Sequence, residues 1–125
     1  MQFVVIMQGV PGSGKTTVAK KISRITGAVI CSTDDFWGKD YDFDARKLKE
    51  AHEWNQKRVE DLLEKGASVI VDNTNIRKEH ADPYIDMADR YGCVLEVIRC
   101  HGQFDNVHNV PDHVVDRMER LMEHY

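Results

Sequence analysis

The sequence predicts an α/β fold with a small, mostly parallel sheet of four to five strands flanked by helices on both faces. Three observations predict it. Short apolar runs rich in β-branched residues occur at 2–8, 28–32, 67–71 and 93–99, as expected of strands buried in a parallel sheet. Segments with apolar residues at helical spacing alternate with them, at 14–25, 44–65 and 82–91, and a last one starts at 111. The first run leads directly into a glycine-rich stretch and then a helix, the order of a phosphate-binding strand, loop and helix. The 125 residues, 42% hydrophobic and 30% charged, are read as one compact domain over 1–125.

Each element has its own signal. Gly9-Val10-Pro11-Gly12-Ser13-Gly14-Lys15-Thr16 fits G-x-x-x-x-G-K-[ST], the P-loop. Its glycines allow a tight turn in which the amides of Gly12, Ser13, Gly14, Lys15, Thr16 and Thr17 would face phosphate oxygens. A helix starting here adds the positive end of its dipole. Lys15 would reach the β- and γ-phosphates of ATP, and the Thr16 hydroxyl would ligate Mg²⁺. Val18, Ile22 and Ile25 form the apolar face of this helix, and Gly27 is a left-handed C-cap. Residues 28–32 read as a second short buried strand. Thr33-Asp34-Asp35-Phe36-Trp37-Gly38 follows at the edge where open parallel sheets bind ligands. Asp34 and Asp35 fit a general base for a substrate hydroxyl or a holder of magnesium-bound water; either would also serve as an N-cap. Their place behind a P-loop strand favours the chemical role.

In 44–65, Leu48, Ala51, Asn55, Val59 and Leu62 share a helical stripe, with Gly66 as a stop. His52 and Asn55, on or beside that stripe, fit either bonded core residues or groups facing the cleft. Arg46, Lys47, Lys49, Lys57 and Arg58 interleave with Glu50, Glu53 and Glu60, the pattern of a solvated face. One or two of these cations would be placed to line an acceptor groove. The third strand ends in Asp72-Asn73-Thr74-Asn75, and an acid there has the character of a Walker B residue supporting magnesium. Residues 76–81 read as a first helical turn, with Asp82 as N-cap and Pro83 at the first helical position of the segment carrying Tyr84, Ile85 and Ala88. After the fourth strand, the stretch with His101, Gly102, Asn106, His108 and Asn109 is where a mobile cover for the nucleotide would sit. Cys93, Cys100, His101 and His108 match no usual zinc spacing. Pro111 opens a last helix with Val114, Val115, Met118, Leu121 and Met122 as its expected buried face.

A net charge of −4 argues against a protein that holds long duplexes by bulk electrostatics. The N-terminal apolar run lacks a basic leader and no run has the length of a membrane span. Cys31, Cys93 and Cys100 are odd in number and lie in or beside strands, as reduced core residues would. The expectation is a cytoplasmic chain with no membrane partner and an oligomeric state the sequence does not specify.

The stretches GVPGSGKTT, STDDF, AHEWNQKR, VDNTNIR and NVHNVP together resemble the small P-loop kinases related to polynucleotide 5′-hydroxyl kinases, across residues 3 to about 120. The resemblance implies transfer of the γ-phosphate of ATP to the 5′-hydroxyl end of DNA or RNA, with Mg²⁺. Carried over by position, Lys15 and Thr16 serve ATP and magnesium, Asp34 is the general base, and Asp72 supports the metal. Asp35, Asn73, Thr74, Asn75 and Arg77 fall on the acceptor side. A carboxylate base suits a sugar hydroxyl, which is a weak nucleophile. The family usually has an arginine just after the Asp-Asp-aromatic motif to grip the acceptor; here Trp37 stands there, to stack on a base or to enter the core. Lid arginines usually precede the Val-Pro motif; here Phe104-Asp105-Asn106 stands there, with Arg99 and Arg117 flanking as lid candidates. Two rival functions remain: a small-molecule kinase acting on a nucleoside, nucleotide or other metabolite, and a non-enzymatic ATP-binding module. No N-K-x-D guanine-reading sequence occurs.

Overall fold

The computed structural model describes residues 1–102 and 110–125. Four strands, β1 (Phe3–Gln8), β2 (Val29–Cys31), β3 (Val69–Asp72) and β4 (Val94–Arg99), form one sheet in the order β2-β3-β1-β4. All three pairings are parallel, so the strands need helical crossovers to return the chain. These are α1 (Lys15–Thr26), α2 (Leu48–Glu64) and α3 (Lys78–Arg90), with α4 (Asp112–Leu121) after β4. The α/β class is as the sequence predicts, with four strands.

Alternation along β1 divides the core. Val4 and Ile6 point to one face with Val69 and Val71, where Val59 and Leu63 of α2 and Ala81, Tyr84, Met87 and Ala88 of α3 cover them. Val5 and Met7 point to the other with Ile70, covered by Ala19 of α1 together with Val18 and Ile22. Because both faces are covered, β1 and β3 are apolar nearly throughout. Cys31 sits in the first cluster and Cys100 in the second, and all three cysteines are free. Burial pushes the Cys31 thiol up to about 11, which keeps it protonated and unreactive.

Several expectations need correction. Ile25 is 85% exposed; the helix turns it past the sheet edge, and only Val18 and Ile22 of that trio meet the core. The strand β2 lies at the sheet edge, so Val29 faces out. A 3₁₀ turn (Ala45–Lys47) precedes α2, with Asp44 as its N-cap. It leaves Leu48 exposed, and Leu63 rather than Leu62 is the fully buried end of the stripe. Helix α3 starts at Lys78, a turn before Asp82-Pro83. Asp82 pairs with Lys78 at 2.8 Å instead of capping. Pro83 deprives only the carbonyl of Glu79 of its partner, and Glu79 is exposed to water. Among the described residues the apolar side of α4 is only partly covered: Val114, Val115 and Met118 are half-buried, none is fully buried, and Leu121 is exposed. No helix among the described residues is long and apolar enough to cross a membrane.

One buried polar bridge ties the helices of the first face together. Asn55, on the apolar stripe of α2, is fully buried; its Nδ2 donates to Tyr84 Oη of α3 at 2.9 Å and its Oδ1 accepts from Arg58 at 2.7 Å. Its core alternative is thereby realised, since each polar end has a partner. Asn55→Ala takes a bond from the buried Tyr84 hydroxyl and one from Arg58, which keeps its bonds to Ser32 and Asp35, and is expected to cost about 1–3 kcal/mol, read as a lower urea midpoint with an unchanged slope.

Candidate active site

Parallel register brings the functional loops to one edge. Met7 lies opposite Asp72, Cys31 opposite Val71 and Gln8 opposite Arg99, so the segments after β1, β2, β3 and β4 leave side by side. The P-loop between β1 and α1 holds Gly12 and Gly14 at φ 84° and 90°, left-handed conformations that favour glycine. Neighbouring loops fix its shape. Gly9 N–H donates to the Thr74 carbonyl at 3.1 Å, and Gly102 N–H donates to the Ser13 carbonyl at 3.0 Å. A Cβ on Gly9 would stand 2.3 Å from Ser13 Oγ and 2.9 Å from the Cys100 carbonyl oxygen. Gly14 is the N-cap of α1 and no side chain caps it. The amides of Lys15, Thr16 and Thr17 therefore precede the first intrahelical bond, Val18 N–H to the Gly14 carbonyl at 3.2 Å, and form an anion site.

Thr16 Oγ1 donates to Asp72 Oδ2 at 2.8 Å. Asp72 is 6% exposed, and its Oδ1 is buried without a hydrogen-bond partner. Burial raises its pKa, the Lys15 charge and the Thr16 hydroxyl oppose the rise, and the charges of Asp34 and Asp35 add to it. Asp72 is thus the group that feels both the P-loop lysine and the acid pair. A hydroxyl and a carboxylate with an orphaned buried oxygen are hard oxygen donors, and they fit a magnesium ion or its bound water.

The acid pair lies in a 3₁₀ turn (Thr33–Trp37) after β2. Its N-cap is Ser32, whose Oγ accepts from Asp34 N–H at 3.2 Å, so neither aspartate is needed as a cap. Each has a different partner. Tyr41 Oη donates to Asp34 Oδ1 at 2.9 Å. Arg58 pairs with Asp35 Oδ2 at 3.1 Å and also donates to the Ser32 carbonyl and Asn55 Oδ1. Tyr41 has φ 50° and is carried back by the loop after Gly38. Burial, then the Asp34 bond and charge, push its phenol up to about 12, so it remains a donor at neutral pH. His52 is half-buried with Nδ1 3.4 Å from Thr33 Oγ1. Burial lowers its pKa, His80 acts in the same direction, and Asp34 opposes them. His52 thus faces the turn that carries the acid pair.

Other sequence candidates serve the scaffold. Trp37 is 6% exposed, so it takes the core alternative and offers no face to a base. Asn73 Oδ1 accepts from Thr33 N–H at 2.8 Å, bridging β3 to the acid-pair turn. Thr74 supplies the carbonyl that holds Gly9. Asn75 is buried at φ 49°, with Nδ2 donating to the Met7 carbonyl at 2.8 Å, and cannot reach an acceptor. Arg77 is exposed and pairs with Glu79 and Glu123. Arg99 donates to the Tyr125 carbonyl at 2.6 Å, and Arg117 is exposed on α4. Asn106, His108, Asn109 and the Phe104-Asp105-Asn106 stretch lie outside the described residues. Tyr41 escaped the sequence reading, and Arg58 was one of five indistinguishable cations; its signal is its place three residues after Asn55, on the same helical side.

Fold and site together define a P-loop protein with a kinase-like fold. The chain belongs to the AAA_33 family, described as AAA domain, which matches residues 4–104. It is 33% identical over 135 residues to human (Homo sapiens) NEDD4-binding protein 2, an alignment that takes in 98% of this chain and 8% of that protein's length. Among solved structures it is similar to a chain of the Pnkp1/Rnl/Hen1 RNA repair complex, with TM-score 0.68 and 22% identity over 95% of this chain and 37% of that one. It is also similar to the Mycobacterium tuberculosis APS kinase CysC in complex with AMPPNP and APS, with TM-score 0.63 and 20% identity over 94% and 68% of the two chains. At these identities the structures share the fold.

Two outcomes follow from the Asp72 environment and the packing under Gly9. A carboxyl whose folded pKa is raised destabilises the fold above that pKa, and the penalty fades as pH falls below the unfolded value. Asp72→Asn should therefore raise the melting temperature of the ligand-free chain at neutral pH, with little gain at acidic pH, while removing any stabilisation by Mg²⁺ with ATP in the same melting assay. Gly9→Ala should weaken nucleotide binding by about tenfold or more, since the Ser13 and Cys100 contacts force the loop to shift; calorimetric titration with an ATP analogue checks it.

Proposed function

We propose that this chain transfers the γ-phosphate of ATP to the 5′-hydroxyl of a nucleic-acid strand. The observation that carries the reading is the shared sheet edge: the parallel register sets the P-loop, Asp72 and the acid-pair turn side by side, with Thr16 bonded to Asp72 and Asn73 bonded to Thr33, which supports a phosphate site with a candidate base next to it. The resemblance of STDDF and VDNTN to polynucleotide 5′-hydroxyl kinases, and a fold shared with a chain of an RNA repair complex, support the acceptor class.

In this mechanism the P-loop amides and Lys15 hold the phosphates in line with the acceptor. Thr16 and Asp72 would hold Mg²⁺, which when bound neutralises charge on the phosphate oxygens. Asp34 accepts the proton of the acceptor hydroxyl as that oxygen bonds to the γ-phosphorus. The bond from the γ-phosphorus to the β,γ-bridging oxygen breaks, and ADP leaves. Tyr41 fixes the carboxylate of Asp34 for that proton transfer.

The test is transfer of labelled γ-phosphate from Mg-ATP to 5′-hydroxyl DNA and RNA oligonucleotides, nucleosides and nucleotides, with Lys15→Ala as the blank. Labelled oligonucleotide ends are the expected result. Label on small acceptors alone would replace this reading with a metabolite kinase, which the net acidic charge favours, and ATP binding without transfer would leave a binding module. Asp34→Asn should keep ATP affinity within a few-fold while cutting transfer by about 10²-fold or more; near-normal turnover would remove Asp34 as the base. Tyr41→Phe should lower kcat by about 10- to 100-fold with the KM for ATP unchanged, as expected for a misplaced base.

A further inference from the structure

The aromatic side chains around the acid pair form a row. Trp54 meets Phe36 at 5.8 Å, Phe36 meets Trp37 edge-on at 5.1 Å, Trp37 meets Phe43 at 5.0 Å, and Phe43 stacks on Tyr41 at 6.4 Å. The row passes from α2, through the turn that carries Asp34 and Asp35, to the phenol that holds Asp34. Its middle is buried at Trp37, whereas Trp54 is 37% exposed. The Arg58 guanidinium lies 4.4 Å from the centroid of the Trp54 ring. The same guanidinium is bonded to the Ser32 carbonyl, Asp35 and Asn55. The indole therefore rests on a cation that is tied down from below and cannot swing away.

An i,i+4 aromatic–cation pair on a helix surface needs no ligand to explain it, because it adds a few tenths of a kcal/mol to the helix. Three features go beyond that account. The cation is anchored to the acid-pair turn rather than to α2 alone, Phe36 from that turn packs against the ring, and the partly exposed indole therefore lies beside the turn that carries Asp34 and Asp35. A chain of net charge −4 must also draw affinity for a polyanion from something other than bulk charge. Stacking supplies about 1–3 kcal/mol per base and tolerates any sequence.

Resting on the proposed 5′-kinase function, we infer that Trp54, seated on Arg58 and braced by Phe36, is a stacking platform for an unpaired base near the 5′ end of the acceptor strand. The platform selects a frayed or single-stranded end over a blunt duplex, because a paired and stacked base has no face to offer. Its affinity depends weakly on salt, because stacking itself releases no counterions, whereas each phosphate neutralised on a single strand contributes a slope of about −0.7.

The test uses intrinsic fluorescence, for which the two tryptophans are suited because one is buried and one exposed. The full chain, saturated with Mg²⁺ and a non-hydrolysable ATP analogue, is titrated with a short 5′-hydroxyl oligothymidylate and, separately, with a blunt duplex. The expected result is quenching by the single strand and little by the duplex. Trp54→Phe should abolish the quench yet bind within a few-fold when affinity is followed by anisotropy of a 3′-labelled strand. Trp54→Ala should bind about tenfold more weakly, with melting curves showing that both variants fold. A quench that survives in Trp54→Phe, unchanged affinity in Trp54→Ala, equal binding of the duplex, or a quench produced by the ATP analogue with none added by the strand would each overturn the platform. Phosphate transfer to the same strand is read in parallel. Quenching without transfer would sink the kinase reading and leave the platform standing; transfer unaltered by Trp54→Ala at sub-saturating strand would do the reverse.

Discussion

The hydrogen bond from Thr16 to Asp72 depends on a constraint of backbone geometry. The two residues are far apart in sequence, and they meet because β1 and β3 run parallel with Met7 opposite Asp72. A shift of one residue would carry the carboxylate to the other face of the sheet and leave the threonine facing a valine. Register here is set by burial on both sides: Val69 and Val71 belong to one core cluster and Ile70 to the other. The hydrophobic alternation that drives folding is thus the same feature that aligns the P-loop with the acid beside it.

That alignment has an energetic cost, which the surroundings offset only in part. Asp72 is buried with one oxygen lacking a partner, and neighbouring carboxylates of like charge raise its pKa further. The protein leaves this group with an acceptor it does not itself satisfy, the mark of a functional-site candidate. The acid pair is treated differently. Arg58 takes the outer carboxylate and Tyr41 the inner one, so two chemically identical neighbours are given distinct surroundings. The Asn55–Tyr84 bond then joins the helix that carries Arg58 to the rest of the core, and the orientation of Arg58 becomes a property of the whole α2–α3 layer.

Most of the sheet and the P-loop was legible because both are local signals: β-branched runs, a glycine pattern, and a left-handed stop at Gly27 that the structure repeats at φ 79°. The errors share a different origin. Periodicity says which residues of α4 lie on one side, but not whether anything covers them. Asp82-Pro83 carries the grammar of a helix start, yet proline one turn in is affordable when the carbonyl it strands can reach water. At the site, the meeting of Thr16 with Asp72 at 2.8 Å was foreseeable because a threonine after the P-loop lysine and an acid at the end of a parallel strand are both local signals. Tyr41 was invisible because its role needs the chain to loop back after Gly38, and no local pattern encodes that return. Asn75 reads as a polar loop residue of the ligand edge, but its left-handed backbone and its bond to the Met7 carbonyl draw it inside.

The contacts between the P-loop and the segment leaving β4 carry a consequence for how the molecule opens. Gly102 holds the carbonyl of Ser13, and Gly9 lies directly under the carbonyl of Cys100. The edge strand β4 therefore acts as a strut, and the P-loop cannot loosen alone. Local opening of the loop and fraying of the sheet edge become one cooperative event, so the slow-exchanging amides of the two regions should share a single opening free energy. A ligand that stiffens one would then be felt as protection in the other, at a distance from any atom it touches.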